Sequence, residues 1–305
     1  MKHKETSEDC YCLKLANGQR WHITSTEEEK PWVEKLASIL GLRKCLPAKY
    51  PRIIFVKRRS GNKAFSKTIY DLNSNIETDL PETGWIAHLL GFLKIWSHPD
   101  VPDVICEMRD ARDTNLDAFR MGEAMIPIYQ RAQNLGGLPM HAALIEWKGT
   151  GVLISAKGGT GKSTCCRRLP RPWYPICDDH TLIVQDEQKR YSVHPFPTWK
   201  DYSTGLCETN WNVEKSFPLF GIFFLERGEV DGTFSVGQGR GAALINYSAT
   251  QVFQYKWRDL SGEHERILRR KIFENACEIA RKIPTYTLRA SLTGRFWEKI
   301  EEVLP

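Results

Sequence analysis

Missing from this sequence is any apolar run approaching the ~20 residues that span a bilayer, so no membrane partner is expected. Missing too is an apolar segment near the start. Met-Lys-His-Lys-Glu-Thr-Ser-Glu-Asp has none of the pattern of a secretion signal, and a cytoplasmic location is expected. No internal repeat or low-complexity tract occurs, which excludes solenoids and long linkers. Positive charge is only in modest excess. A net +6 over 305 residues suits an anionic ligand without marking a nucleic-acid binder, and no nucleic acid is expected. The nine cysteines are odd in number and follow no framework spacing, so most are expected as reduced thiols. Cys177-Asp-Asp-His180 looks faintly like metal ligands, but no second pair stands at a zinc-finger spacing. Packing is the better account of most cysteines. Cys10 and Cys12 should face one side of a strand, and Cys165-Cys166 should pack a helix turn.

What is present is the composition of a globular protein: 41% hydrophobic, 26% charged, with ten Trp and thirteen Phe to build one large core or two smaller ones. Alternation in residues 10–15, then Asn17-Gly18, then residues 20–24 predicts a hairpin. Residues 31–40 carry apolar side chains at helical spacing, with Gly41 placed to stop them. Residues 53–56 predict a strand that leads into a basic loop of Lys57, Arg58, Arg59, Lys63 and Lys67. A solvated loop is preferred there over a docking site for an acidic partner. Residues 85–96 are apolar but ambiguous between helix and strand. Residues 104–108 read as a strand, and residues 115–134 as one helix ending near Gly136-Gly137.

The expected organisation is an N-terminal α+β region over residues 1–125, which could help recognise a substrate, and a catalytic domain over residues 126–305. In the second part, strands at 142–147, 152–155, 173–177, 181–184, 191–194 and 219–225 combine with a helix at 162–169 into an α/β fold with a mixed sheet. A long helix over 264–283 should turn Ile267, Leu268, Ile272, Phe273, Ala276, Ile279 and Ala280 to the core. A last strand at 286–288 and a closing helix at 293–303 complete it.

The most informative stretch is residues 151–164, where an apolar strand runs into Ala156-Lys-Gly158-Gly159-Thr160-Gly161-Lys162-Ser163-Thr164. This is the layout of a phosphate-binding loop, or P-loop, between a strand and a helix. Glycines let successive N–H groups converge on phosphate oxygens, and the following helix adds its positive end. Lys162 would reach the outer phosphates and the Ser163 hydroxyl would hold Mg2+. Ala156 stands where the G-x-x-x-x-G-K-[ST] pattern has its first glycine, and must tolerate the turn's backbone angles. The bland alternative is a glycine-rich turn with a surface lysine.

Asp178 and Asp179 follow Lys162 by 16 and 17 residues, at the end of an apolar strand. A carboxylate there lies across from a phosphate loop, where it can hold Mg2+ or take the proton of an incoming hydroxyl. Sequence does not divide the two jobs between them, and a solvated Asp-Asp turn is the alternative. His141 precedes Lys162 by 21 residues. An antiparallel hairpin of residues 142–155 would bring it back beside the loop, to orient a carboxylate or touch the transferred group. An ordinary core or surface histidine is the alternative. Arg240, in a glycine-rich segment read as flexible, could move onto phosphate, though a plain loop arginine is preferred. His194 and Lys200 flank a proline-rich segment that could guide a peptide, with loop packing as the alternative. Arg167-Arg168 should be solvated.

Leu138-Pro139-Met140-His141, the spacing to Gly158-Gly-Thr-Gly-Lys-Ser163 and the following Asp178-Asp179 resemble the catalytic domain of HPr kinase/phosphorylase. Residues 141–179, with Cys165-Cys-Arg-Arg-Leu-Pro170, look more narrowly like the SynChlorMet cassette protein ScmC group, as do Asn275-Ala-Cys-Glu and Ser291-Leu-Thr-Gly-Arg-Phe-Trp. The resemblance implies a phosphoenolpyruvate-carboxykinase-like fold, ATP and Mg2+ as cofactors, and phosphorylation of a serine. Gly158, Gly159, Thr160, Gly161, Lys162, Ser163 and Thr164 would hold the nucleotide, and Ser163, Asp178 and Asp179 the metal. Asp178 and Asp179 would share metal and base work, with His141 assisting. It also implies a neighbourhood of radical-SAM enzymes and small peptide precursors, hence a peptide or small-protein substrate, and an oligomer is possible. The Glu-x-Arg-Gly segment typical of HPr kinase/phosphorylases is not recognisable here; residues 193–200 stand in its place. The likeness is therefore carried over for forward kinase chemistry, and not for phosphorolysis or for HPr as the substrate. The rival expectations are a nucleotide-binding regulatory partner of a peptide-modifying complex, or a kinase of free serine or a similar metabolite.

Overall fold

A computed structural model describes residues 10–46, 48–57, 64–75, 78–108, 116–199, 211–253 and 262–304. Arg58, Arg59, Lys63, Lys200 and the start of the helix expected at residue 115 lie outside the described residues. The chain divides into two compact units, one of residues 1–14, 19–127 and 199–210, the other of residues 15–18, 128–198 and 211–305. Each has a mixed sheet. Among the described residues, no helix is long and apolar enough to cross a membrane.

In the first unit, β1 (Cys10–Lys14), β2 (Arg20–Ser25), β3 (Arg43–Cys45), β4 (Arg52–Lys57), β5 (Ile86–Leu89), β6 (Leu93–Ser97) and β7 (Val104–Met108) form one sheet in the order β3-β1-β2-β4-β7-β6-β5. β1 and β2 make the expected hairpin. α1 (Lys30–Leu40) ends as expected at Gly41, whose φ of 68° is the left-handed cap that a side chain resists. The ambiguous residues 85–96 are a hairpin of β5 and β6. α2 (Ala64–Asn75) lies between β4 and β5 in the chain. The helix expected over 115–134 is two, α3 (Asp117–Ala124) and α4 (Ile126–Asn134). Pro127 supplies no N–H to the turn before it, so the hydrogen-bond ladder breaks there and restarts.

The expectation of reduced cysteines needs one correction: Cys12 and Cys45 form a disulfide, S–S 2.24 Å. Their partnership joins β1 to β3 across the sheet, a pairing no sequence spacing reveals. Beside it, burial lowers the pKa of His22, with Arg52 pushing the same way and Asp103 opposing, so the ring is neutral.

The second unit has β8 (Leu138–Trp147), β9 (Thr150–Ser155), β10 (Tyr174–Cys177), β11 (His180–Gln185), β12 (Tyr191–Phe196), β13 (Phe217–Arg227), β14 (Gly232–Ser235) and β15 (Thr285–Ala290). Two long strands change partners along their length. β8 pairs with β11 through His141 and with β9 from Ala142 onward. β13 pairs with β12 at Phe217-Pro218 and then, in parallel, with β9 from Leu219. The sheet therefore forks, and β9 fills one branch. Helices α5 (Lys162–Arg168), α6 (Gln238–Phe253), α7 (Gly262–Lys282) and α8 (Phe296–Glu301), with α4 from Ile128 on, complete the unit. A core of Ile145, Val152, Ile154, Phe223, Phe296 and Ile300 packs with the buried Cys165 and Cys166 of α5, as expected for that pair.

Several expectations change here. The segment around Arg240, read as flexible, is the first turn of the 16-residue α6. Its Gly241 packs where an added Cβ would come within 2.5 Å of Thr285 Oγ1, so the glycine serves close packing rather than mobility. Ile267 and Phe273 of α7 are exposed, whereas Ile272, Ala276 and Ile279 are fully buried. The buried stripe is narrower than the apolar spacing suggested. Arg168 is not simply solvated: its guanidinium donates to Ser291 O at 2.7 Å and to Gly294 O. Arg167 is exposed. Asn275 is buried and its amide donates to Gln133 O (2.7 Å) and Gly137 O (3.0 Å). The two late segments that carried the family likeness thus brace α5 and the turn after α4.

Candidate functional site

The β8–β9 hairpin returns the chain as its spacing required, with Ala142 opposite Ser155. His141 stands one residue before that pair, at the fork where β8 leaves β11. Two hydroxyls fix its backbone: Ser155 Oγ and Ser248 Oγ each lie 3.1 Å from the His141 carbonyl oxygen and 2.9 Å from one another. Opposite His141 in β11 is His180, and Ala142 N donates to Asp179 O at 3.0 Å.

The glycine-rich loop joins β9 to α5. Gly159 and Gly161 have φ of 75° and 120°, angles that exclude most side chains. A Cβ at Gly158, Gly159 or Gly161 would meet nothing within 4 Å, so the loop is open on that side. Ala156 is buried and is not among the positive-φ residues, which removes the concern over the missing glycine. Ser163 and Thr164 are exposed, and Thr160 is partly buried. Arg227, at the end of β13, donates to Thr160 O at 3.0 Å and to Gly159 O, pinning two loop carbonyls. Next to the loop is a pocket of about 470 Å3 whose walls include Thr160, Thr164, Leu225, Arg227 and Ser291.

Three of the four expected catalytic side chains meet. Lys162 Nζ is 2.7 Å from His141 Nε2, and Asp179 Oδ1 is 2.9 Å from the same nitrogen. The other ring nitrogen, Nδ1, lies 2.8 Å from Gln251 Oε1 on α6. His180 Nε2 approaches Asp179 Oδ2 at 3.8 Å. Nε2 has one position to offer two partners. With a proton it donates to Asp179; without one it accepts from Lys162. Asp178 turns elsewhere, its Oδ1 accepting from Thr198 Oγ1 at 2.9 Å. The aspartate pair, inseparable by sequence, is therefore separated by geometry.

Burial lowers the pKa of the Lys162 ammonium, while Asp179, Asp178 and Cys166 work against that shift. Burial also opposes charge on Asp179, but the His141 hydrogen bond and the charges of His180, His141 and Lys162 outweigh it. Its pKa is held well below the usual carboxylate range. A carboxyl more acidic when folded adds stability above its unfolded pKa of about 3.9. That contribution is lost as pH falls through the lower folded value. His141→Ala should therefore weaken the fold most at neutral pH, with the gap to the parent narrowing below about pH 4. Urea melts at stepped pH measure that gap.

Other expected features fall outside this cluster. The proline-rich segment is not an exposed guide: Val193 to Thr198 are buried, most of them in β12, which is paired on both sides. His194 is fully buried, with Nδ1–H donating to Val213 O (2.8 Å) and Nε2 accepting from Ala16 N (3.0 Å). Burial pushes its pKa down to about 4 against those backbone hydrogen bonds, so it is a neutral structural ring. Arg240 lies 3.9 Å from Glu226, both exposed, and not at the cluster. Cys177 is a buried thiol donating to His180 O at 3.2 Å, with its pKa pushed up to about 12 by burial. Gln251, Ser248, Thr198 and Arg227 were missed. Thr198 and Arg227 carried no signal, and the two α6 residues were hidden with their helix.

A family model for the SynChlorMet cassette protein ScmC matches residues 104–305, more than half of the chain. The chain belongs to the ScmC family. No curated protein matches it. The ScmC match takes in the glycine-rich loop, His141, both aspartates and the bracing segments around Asn275 and Ser291, and it leaves β1 to β6 outside.

Proposed function

We propose that this ScmC-family chain is an ATP- and Mg2+-dependent kinase of HPr-kinase-like P-loop architecture. It moves the γ-phosphoryl group to a serine, or another hydroxyl, of a peptide or small protein. The observation that carries the reading is the meeting of Lys162 and Asp179 on His141 Nε2, beside a glycine-rich loop that links a strand to a helix.

The residues present fit a triphosphate. The loop's open glycine side leaves backbone N–H groups approachable, and Lys162 supplies a cation already partly withdrawn from water. The pocket by Arg227 has room for a nucleoside. Of the three expected metal ligands, Ser163 and Asp179 would hold Mg2+, which when bound offsets charge on the phosphates, and Asp178 is left for the proton.

A proton acceptor works best with a pKa near the operating pH, and Asp179 is too acidic for that. It serves as the permanent anion that fixes His141 and Lys162. Asp178 has one oxygen on Thr198 and offers the other to the incoming hydroxyl. The hydroxyl oxygen then bonds to the γ-phosphorus, the β–γ bridge breaks, the proton goes to Asp178, and ADP leaves.

The test is incubation with γ-labelled ATP, Mg2+ and the short peptides encoded beside the gene. Mass spectrometry should find one peptide heavier by a single phosphoryl group, with label on a hydroxyl side chain. Label released only as phosphate, or no turnover with any peptide while nucleotide binds, would favour the regulatory reading and overturn this one.

A further inference from the structure

A second cluster of reactive side chains lies in the first unit, outside the family match and far in sequence from the site above. Cys10 and Cys12 share one face of β1. His22 on β2 stands opposite Cys12, and Cys45 on β3 stands opposite Cys10. Three sulfurs and one imidazole therefore share one face of three adjacent strands. Ligand atoms of Cys10, His22 and Cys45 all lie within 4.8 Å of one another, with Cys10 and His22 buried.

A disulfide between Cys12 and Cys45 uses only two of these groups, and the geometry of the others exceeds what it needs. Cys10 Sγ is 3.8 Å from Cys45 Sγ. Two thiolates on one tetrahedral zinc, each at about 2.3 Å from the metal, are separated by about 3.8 Å. His22 Nε2 is buried and has no hydrogen-bond partner among the described residues, a costly state for a polar atom unless something fills it. The Cα atoms of Cys12 and Cys45 are 5.9 Å apart. Reduction would free Cys12 Sγ from Cys45 and add a fourth donor, on the same face of β1, to the three that already lie together.

We propose that in the reduced protein the thiolates of Cys10, Cys12 and Cys45 and the imidazole of His22 hold one Zn2+ ion, and that the disulfide and the metal are alternative uses of the same sulfurs. Reduction consumes two small-molecule thiols, which leave as their own disulfide, and returns Cys12 and Cys45 as thiols. Zinc then displaces three thiol protons as it binds, and the proton on His22 Nε2 shifts to Nδ1, which gives up the Ala48 N–H it accepts. Three soft sulfurs and an imidazole with no open position are a structural zinc set rather than a catalytic one. The ion would clamp β3, three residues long and half exposed, to β1 and β2 at the sheet's edge.

The test uses the full chain, reduced with a phosphine, given a small excess of Zn2+, dialysed without chelator to remove unbound ion, and assayed for thiols and zinc. The expected result is stoichiometric zinc, lost from Cys10→Ser and from His22→Ala but kept by Cys277→Ser, which lies outside the cluster. Cobalt substitution of the unmutated protein should give thiolate charge-transfer bands and strong tetrahedral absorption, a readout that needs no variant to fold. The proposal is overturned if the reduced protein retains no zinc, if the disulfide persists under phosphine, or if His22→Ala keeps its zinc and the parental cobalt spectrum.

Discussion

Lys162→Ala should reduce phosphoryl transfer by roughly 10²–10³-fold or more, the loss typical of removing one charge-stabilising donor from a transition state. The same change should leave the fold intact or firmer. Burial disfavours the Lys162 charge, so the ammonium costs stability while it is protonated. That cost is full below its folded pKa and fades as pH rises toward the unfolded value of about 10.4. Removing the side chain removes the cost at every pH. It also leaves His141 Nε2 with a single partner, Asp179. Melting curves should therefore show an equal or higher midpoint, beside a collapse in turnover measured with labelled ATP. A variant that is unfolded, or one that transfers phosphate at the parental rate, would count against the role given to this lysine.

Asp178→Asn should lower the transfer rate by about 10²–10⁴-fold, the range for loss of a general base, with nucleotide affinity unchanged. Asparagine keeps an oxygen for the Thr198 hydroxyl, so the local structure should persist. Asp179→Asn should behave differently. It removes the charge that counters burial of Lys162, so the lysine pKa should fall further and nucleotide binding should weaken as well. Single-turnover rates and direct binding of a nonhydrolysable ATP analogue separate the two patterns. Parental transfer by Asp178→Asn would assign the proton acceptor elsewhere.

The reason His141 could be linked to Lys162 from sequence is that a hairpin is local. Turn residues after Trp147 fix the register, and the register brings residue 142 to residue 155. Asp179 followed because it ends a strand next to the same hairpin. Gln251 was illegible because Gly237 precedes α6 and Gly239 and Gly241 lie in its first turn, a run that reads as a loop until the packing of Gly241 against Thr285 is seen. The grouping of Cys10, Cys45 and His22 was invisible for another reason. β3 is short, shows no alternation, and meets β1 only through pairing across the sheet. Cys45 thus has no local signal tying it to Cys10. His194 and the prolines around it misled because a buried strand and an exposed guide share the same composition.

If the loop binds a phosphate as proposed, the contact between Lys162 and His141 also sets a threshold for what it will accept. An arriving anion must separate the two side chains before it gains the ammonium for itself. A small ion recovers little beyond the charge it displaces. A larger molecule, whose far end reaches the pocket walled by Leu225 and Arg227, recovers much more. On the proposed reading, the site would select ligands by size as well as by charge, with no moving lid required.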